Sequence, residues 1–162
     1  MPEKKTQRAA SKDKKEGKSP STQAGEYVHE EIEHVRKGKH GARSTRQAIA
    51  IGLSKARRDG VKVPTSTTAS KSTKKKAAQD ETASHDHHRP AARRSKATTA
   101  ALKKEGHRAA SKSALSSHAK KSASRRSAGS RSAAAKKAAH TKGAAGRSAA
   151  AKKAAKSRAK AS

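Results

Sequence analysis

The cationic side chains of the C-terminal third are the residues whose number and spacing predict a chemistry most directly. Residues 106–162 contain 16 lysines and arginines and neither aspartate nor glutamate. Within them, the nonapeptide at 131–139 returns unchanged at 147–155, and each copy carries a lysine pair. Lysines and arginines that neutralise phosphates release condensed counterions, and the resulting affinity is independent of nucleotide sequence and falls steeply with salt. This tail is therefore predicted to bind a polyanion.

The tail residues expected to contact phosphates are Lys120, Lys121, Arg125, Arg126, Arg131, Lys136, Lys137, Lys142, Arg147, Lys152, Lys153, Lys156, Arg158 and Lys160. The alternative is that their charge only keeps the chain in solution. Solubility does not require 57 residues without a single acid, so the binding interpretation is favoured.

A second candidate anion site lies in the connection between two predicted helices. Its residues are Lys37, Lys39, His40, Arg43, Ser44 and Arg46. Glycines in this loop allow the backbone to approach an anion, and the N–H groups that begin the next helix point into the same loop. The alternative is a solvated basic loop. It has neither the glycine and lysine spacing of a P-loop nor the short turn of a helix-turn-helix.

Histidines give one metal-like pattern, at His85, Asp86, His87 and His88. Four adjacent ligands in a polar stretch form a weak site at best, because real sites gather their ligands from separate elements. The sequence leaves open whether His85, His87 and His88 bind a metal, and no metal site is predicted. No serine, histidine and carboxylate pattern resembles a catalytic site, so we expect no enzyme activity and no cofactor.

Composition limits the elements that can position these residues. The chain has 162 residues, a net charge of +30 and no Cys, Trp or Phe. Its 30% hydrophobic content is mostly alanine, which cannot fill a core of ordinary size. No disulfide and no cysteine-based metal site can form, and no apolar run approaches the roughly 20 residues of a membrane span. The expectation is a cytoplasmic protein that does not contact membranes.

Apolar periodicity predicts a small helical head over residues 1–64. Helices are expected at about 22–37 and 45–59, where Val28, Ile32 and Val35 form one stripe and Ile49 and Leu53 another. Serine residues precede both helices as N-caps and glycines follow as stops. Because a two-helix hairpin buries little surface, the head is predicted to self-associate through these stripes.

The rest of the chain is expected to lack stable tertiary structure. Residues 65–97 are predicted to be a disordered polar linker and residues 98–121 a weak helix–Gly–helix segment. Residues 122–162 form the repetitive, low-complexity tail, in which unpaired lysines oppose helix formation until a polyanion binds. The predicted fold class is therefore mostly α-helical and disordered.

The near absence of aromatic rings indicates which nucleic acid is bound. Readers of single strands and of RNA stack bases on aromatic side chains, and this chain has one such residue, Tyr27. Base reading in the major groove needs a rigid scaffold that presents Arg, Asn or Gln, and the chain has no Asn. Binding to the backbone of double-stranded DNA is the remaining mode, with RNA as the alternative ligand.

The head also resembles a known group of proteins. The strings SPSTQAGE from residue 19, GKHGARS from residue 38 and QAIAIGLSKAR from residue 47 resemble a bacterial family of uncharacterised small basic proteins that are often labelled plasmid stabilisation proteins. The resemblance is close over the first 64 residues and looser around residues 102–121. Separately, the Ala/Lys repeats resemble linker-histone tails and histone-like bacterial proteins. These resemblances imply DNA binding, with a role in plasmid maintenance.

Together these features predict a histone-like, nucleoid-associated protein that binds duplex DNA without sequence preference and aids its compaction. The alternative is an adaptor or stress-related protein, whose head binds a protein partner while its tail anchors to RNA, ribosomes or polyphosphate.

Overall fold

The computed structural model describes residues 2–86 and 91–159, and helices account for 77% of the chain. Its elements are α1 (Lys4–Lys15), α2 (Pro20–Arg36), α3 (Thr45–Arg58), α4 (Lys71–Asp86), α5 (Ala92–Lys103), a 3₁₀ turn (Arg108–Ala110), α6 (Lys112–Ser124) and α7 (Ala128–Ala159). The chain divides into two compact units, Met1–His118 and Ala119–Ser162. In the first unit α2 packs against α1 and α3, α3 packs against α4, and the 3₁₀ turn lies against α2 and α3.

The helices α2 and α3 occupy the two segments whose apolar periodicity predicts helices. Each has a serine at its N-cap, Ser19 and Ser44, whose hydroxyl oxygen accepts the backbone N–H three residues later at 3.4 and 3.2 Å. Each is followed within two residues by a glycine in the left-handed region, Gly38 at φ 72° and Gly60 at φ 83°. Local sequence signals therefore set both ends of both helices.

The interior of the first unit consists of two small clusters. The first contains Ile32, Val35, Ala42, Ala48, Ala109 and Ala110, with Val28 and Leu115 at its margin. The second contains Ala10, Ala24, Tyr27, Ala56 and Val61, with Leu53 and Val63 at its margin. The stripe of α2 is thus covered by the chain itself. Self-association of the head is not needed to bury Ile32 and Val35, and it stays a prediction.

Alanine and glycine allow the helices to approach closely. The backbone of α3 at Gly52 lies so near α2 that a Cβ there would come within 2.7 Å of Val28 Cα. Most of the buried apolar residues in the two clusters are alanines. The interior is therefore compact although it holds few large side chains, because small residues fill the narrow space between closely packed backbones.

The expectation of a disordered linker over residues 65–97 is wrong. Residues 71–86 form α4 and residues 92–103 form α5. Ala77 and Asp80 of α4 are buried, and α4 packs against α3. The composition of this segment conceals a helix because Lys, Ala, Gln and Glu are strong helix formers and because its main anchor is a carboxylate rather than an apolar side chain.

The segment 98–121, expected as a weak helix–Gly–helix unit, closes the first cluster. The backbone N–H groups of Gly41 and Ala42 donate to the carbonyls of Leu102 and Gly106 at 2.9 and 3.1 Å. The Thr45 hydroxyl donates to the Ala109 carbonyl at 2.6 Å. Backbone polar groups of this segment thus anchor it, in addition to the few apolar side chains it contributes.

The expectation of a disordered tail over residues 122–162 is also wrong, because α7 spans most of it. Alanine has the highest helix propensity, and between residues 128 and 151 no two lysines or arginines lie three or four positions apart. The adjacent lysines of each pair do not face one another on a helix, so their repulsion is weak. Gly143, at φ 65° and ψ 176°, interrupts α7 and divides it into two halves.

Among the helices of residues 2–86 and 91–159, none has the length and hydropathy that a membrane-spanning segment needs.

Candidate nucleic-acid interface

The tail residues expected to contact phosphates are all exposed where the structure describes them. They lie on the end of α6, in the short connection that follows it and along α7. Lys160 lies outside the described residues. No carboxylate side chain occurs anywhere in residues 106–162, whereas the lysines and arginines of the first unit form ion pairs with acids between Glu3 and Glu105. The tail is therefore the part of the chain whose cations have no acidic side chain nearby in sequence.

The basic residues of α7 fall on two opposite faces of each half. At about 100° per residue, Arg131 and Lys142 lie on one side of the first half, and Lys136 and Lys137 lie roughly opposite. The second half repeats this arrangement because the sequence repeats. We call the first side the Arg face (Arg131, Lys142, Arg147, Arg158) and the opposite side the Lys face (Lys136, Lys137, Lys152, Lys153, Lys156).

One tail arginine also has a structural role at the interruption of α7. The Arg147 guanidinium donates a hydrogen bond of 2.7 Å to the carbonyl of Ala139. Carbonyls at the end of a helix lack intrahelical partners, and the break at Gly143 leaves such carbonyls at the end of the first half. Arg147 therefore stabilises the break as well as contributing charge to the Arg face.

The loop between α2 and α3 holds the second set of expected anion ligands, and most of them have partners in the chain. Lys39 Nζ lies 2.8 Å from Glu3, and Arg43 Nε lies 3.5 Å from Glu105. The other residues of the set are arranged as follows: Lys37 lies 3.8 Å from Glu33, His40 lies 3.3 Å from Glu31, Ser44 caps α3, and Arg46 is exposed. Glycine is required at position 41 because a Cβ there would overlap the Glu105 carbonyl. Anion binding by this loop stays a prediction.

The residues that sequence reasoning missed form a buried polar cluster beneath this loop. We call Glu3, Glu30, Glu31, His34, His40 and Lys55 the carboxylate–histidine cluster. Glu31 has an exposed fraction of 0%, and its Oε2 accepts a hydrogen bond of 2.7 Å from Lys55. The signal available in the sequence was two adjacent glutamates followed by a histidine on α2, on the side that carries the apolar stripe.

Electrostatics keep the acids of this cluster ionised. Contacts with Lys39 and His34 lower the pKa of Glu3 to about 2. Burial alone would raise the pKa of Glu30, but the Thr6 hydroxyl, the Glu3 backbone N–H and Lys55 outweigh it, so the pKa is lowered. The acids therefore carry charge at neutral pH.

The expected metal-like pattern at residues 85–88 is described only in part. His85 is exposed in the last turn of α4, which ends at Asp86, and His87 and His88 lie outside the described residues. Tyr27, the one Phe, Trp or Tyr residue, is 1% exposed and donates its hydroxyl hydrogen to the Asp59 carboxylate. It is therefore not available to stack on a base.

Comparison with known proteins relates part of the first unit to a family. Residues 14–67 match the model of a family of unknown function, DUF6496, and this segment is about a third of the chain. The chain matches none of the curated proteins and none of the solved structures. The match takes in α2, α3 and the loop between them, and the cationic tail lies outside it.

Proposed function

We propose that this protein binds duplex DNA through phosphate neutralisation by its helical tail, without sequence preference, and that it bridges duplexes as a histone-like, nucleoid-associated protein. The observation that carries the proposal is the exposed Arg face and Lys face of α7, in a segment with no acidic residue. DNA carries one negative charge per about 1.7 Å of helix axis, so a helix with dense positive charge finds phosphates along its whole length.

The helical state of the tail favours this binding. A segment that must fold on binding loses affinity to the ordering of its backbone. Since α7 is already helical, its cations are held at fixed spacing and less entropy is lost on contact with DNA. Counterion release then supplies most of the favourable free energy.

Charges on opposite faces support bridging in particular. A helix with one basic face neutralises one surface, whereas α7 presents cations on two sides. The faces can contact two duplexes at once, or the two phosphate backbones that line a major groove about 12 Å wide. The first mode compacts DNA, which would also serve plasmid maintenance, and the second mode does not join duplexes.

Two charge-matched variants of the full chain test the proposal. The first replaces Arg131, Lys142, Arg147 and Arg158 by alanine, and the second replaces Lys136, Lys137, Lys152 and Lys153 by alanine. The assay measures the binding of one labelled duplex and, separately, the co-capture of two duplexes with different labels. We expect both variants to bind one duplex more weakly, by about the same factor, and both to lose co-capture.

Circular dichroism checks that each variant keeps its helix content, which matters because Arg147 stabilises the break in α7. Full co-capture by either variant would show that bridging does not need both faces. Wild-type affinity for duplex DNA in both variants would remove the tail from the binding mechanism. Tighter binding of single-stranded RNA than of duplex DNA would favour RNA as the ligand.

A further inference from the structure

We propose that Glu31, His34 and His40 bind one divalent transition-metal ion of the zinc class at the base of the loop between α2 and α3. One ligand atom from each of the three residues lies within 4.8 Å of the other two. Glu31 and His34 are three positions apart on α2 and so share a face, and the chain reverses at Gly38 to bring His40 over them. Carboxylate and imidazole are common zinc ligands, and two nitrogen ligands favour zinc-like ions over Mg²⁺ or Ca²⁺.

The distances suit such an ion. Ligands about 2 Å from a tetrahedral zinc ion lie roughly 3.4 Å from one another. Glu31 Oε1 and His40 Nε2 are 3.3 Å apart, so these two atoms already have the separation of two ligands. The third ligand, His34, needs a shift of at most about 1.5 Å, since the three atoms lie within 4.8 Å.

An unpartnered carboxylate oxygen is the second, independent observation. Glu31 is buried, and although its Oε2 accepts from Lys55, its Oε1 has no hydrogen-bond donor. A buried acceptor without a donor destabilises the folded chain by about 1–3 kcal/mol. Such orphaned groups in a native structure commonly mark an ion, a water or a catalytic role. The orphaned oxygen lies beside His40 Nε2, where a metal ion would supply its partner.

The tautomer of His40 strengthens the argument. His40 Nδ1 lies 3.0 Å from the Gly41 carbonyl oxygen, which can only accept, so Nδ1 carries the proton. Neutral imidazole then has a lone pair on Nε2, and that lone pair faces Glu31 Oε1. Two acceptors that face one another need a cation between them, either a metal ion or a second proton on the ring. A backbone carbonyl behind the distal ring nitrogen is also the usual outer-shell partner of a histidine metal ligand.

Local charge favours a cation although the chain as a whole is strongly basic. The three glutamates of the carboxylate–histidine cluster meet two ammonium groups, Lys39 and Lys55, which leaves one negative charge in excess. Glu30 Oε1 also lacks a hydrogen-bond donor and lies 3.9 Å from His34 Nε2, which makes it available as a fourth ligand. Glu3 lies 2.9 Å from His34 Nε2 and is the group that a metal must replace or recruit there.

A bound ion would join the loop to α2 and stabilise the first unit. The experiment uses the full chain after treatment with a chelator, and it measures binding of Zn²⁺ by calorimetry, the visible absorption of bound Co²⁺, and the melting temperature. We expect one equivalent of Zn²⁺ per chain and a tetrahedral Co²⁺ spectrum. With Zn²⁺ at a hundredfold excess over its Kd, the melting temperature should rise by roughly 10 °C, and Mg²⁺ should have no effect.

The variants Glu31→Gln and His40→Gln should lose the equivalent and the Co²⁺ band. The matched control is His29→Gln, an exposed histidine of the same helix, which should keep both. A second control replaces His85, His87 and His88 together and should also keep both. Circular dichroism without metal identifies a variant that fails to fold, and His34→Gln then replaces it in the test.

Three results would overturn the proposal. The first is no stoichiometric Zn²⁺ binding by the native chain, in which case a proton on His40 fills the position between the two acceptors. The second is binding that survives in both Glu31→Gln and His40→Gln. The third is binding that disappears in the variant at positions 85, 87 and 88, which would assign the metal to the other histidine cluster.

Discussion

The Asp80 carboxylate accepts a hydrogen bond of 2.6 Å from the Ser54 hydroxyl, and this contact joins α4 to α3. The same carboxylate lies 2.9 Å from Arg58 Nε and 3.4 Å from Lys76 Nζ. Asp80 is only 2% exposed, so it is the buried anchor of a helix that otherwise presents polar side chains to solvent. One acid thus orders a segment whose composition is typical of a linker.

Replacement of Asp80 by alanine should therefore destabilise the first unit. The change leaves Ser54 and Arg58 without their shared acceptor, and because Arg58 is about half exposed, we expect a loss of about 1–3 kcal/mol in the free energy of unfolding. Urea unfolding followed by circular dichroism measures this loss. The control Glu81→Ala removes an exposed acid from the same helix and should change stability by less than about 0.5 kcal/mol. Equal effects of the two variants would contradict the anchoring role.

The pH dependence of stability should report the same contact. Burial acts to raise the pKa of Asp80, but the Ser54 hydroxyl, Arg58 and Lys76 outweigh it and hold the pKa below its ordinary value of 3.8. A lowered folded-state pKa contributes stability that is complete above pH 3.8 and is lost as the pH falls below that value. The difference in melting temperature between the native chain and Asp80→Asn should therefore shrink on acidification. A difference that stays constant from pH 6 to pH 2 would show that Asp80 does not titrate as described.

Two glycines should respond in opposite directions to alanine. In Gly52→Ala the new Cβ would come within 2.7 Å of Val28 Cα, and because that atom belongs to the backbone of α2, the helices must separate. We expect a loss of about 1–3 kcal/mol. Gly25 lies in α2, and a Cβ added there would meet no other atom within 4 Å, so Gly25→Ala should gain about 0.5–1 kcal/mol from helix propensity. Thermal unfolding of both variants decides, and a gain from Gly52→Ala would refute the close approach of α2 and α3.

Binding of duplex DNA should depend strongly on salt. If about half of the 16 basic residues in 106–162 contact phosphates, the slope of log K against log salt should be roughly −7, since each contact contributes about −0.9. Replacing Lys136, Lys137, Lys152 and Lys153 by alanine should reduce that slope by up to about 3–4 units and keep helix propensity. Fluorescence anisotropy over a salt series gives both slopes. A slope near zero, or a preference for one DNA sequence that survives removal of the tail, would assign DNA binding to the first unit.

The sequence by itself determined the features that depend on neighbours along the chain. Apolar spacing and serine caps placed α2 and α3, and the separation of charge along the chain marked the tail. Helix propensity also favours α7, and the disorder expected there overestimated repulsion between lysines that are adjacent in sequence but do not face one another on a helix.

Tertiary structure alone decided the features that join distant segments. Glu3, His40 and Lys55 come from different elements and meet Glu30 and Glu31 only because α2 packs against its neighbours. Likewise Asp80 and the backbone carbonyls near residues 102–110 are polar groups, and no apolar pattern reveals that they will be buried. The physical reason is that a count of large apolar residues measures only one kind of burial. In this chain alanines packed at close range and carboxylates with hydrogen-bonded partners supply the rest.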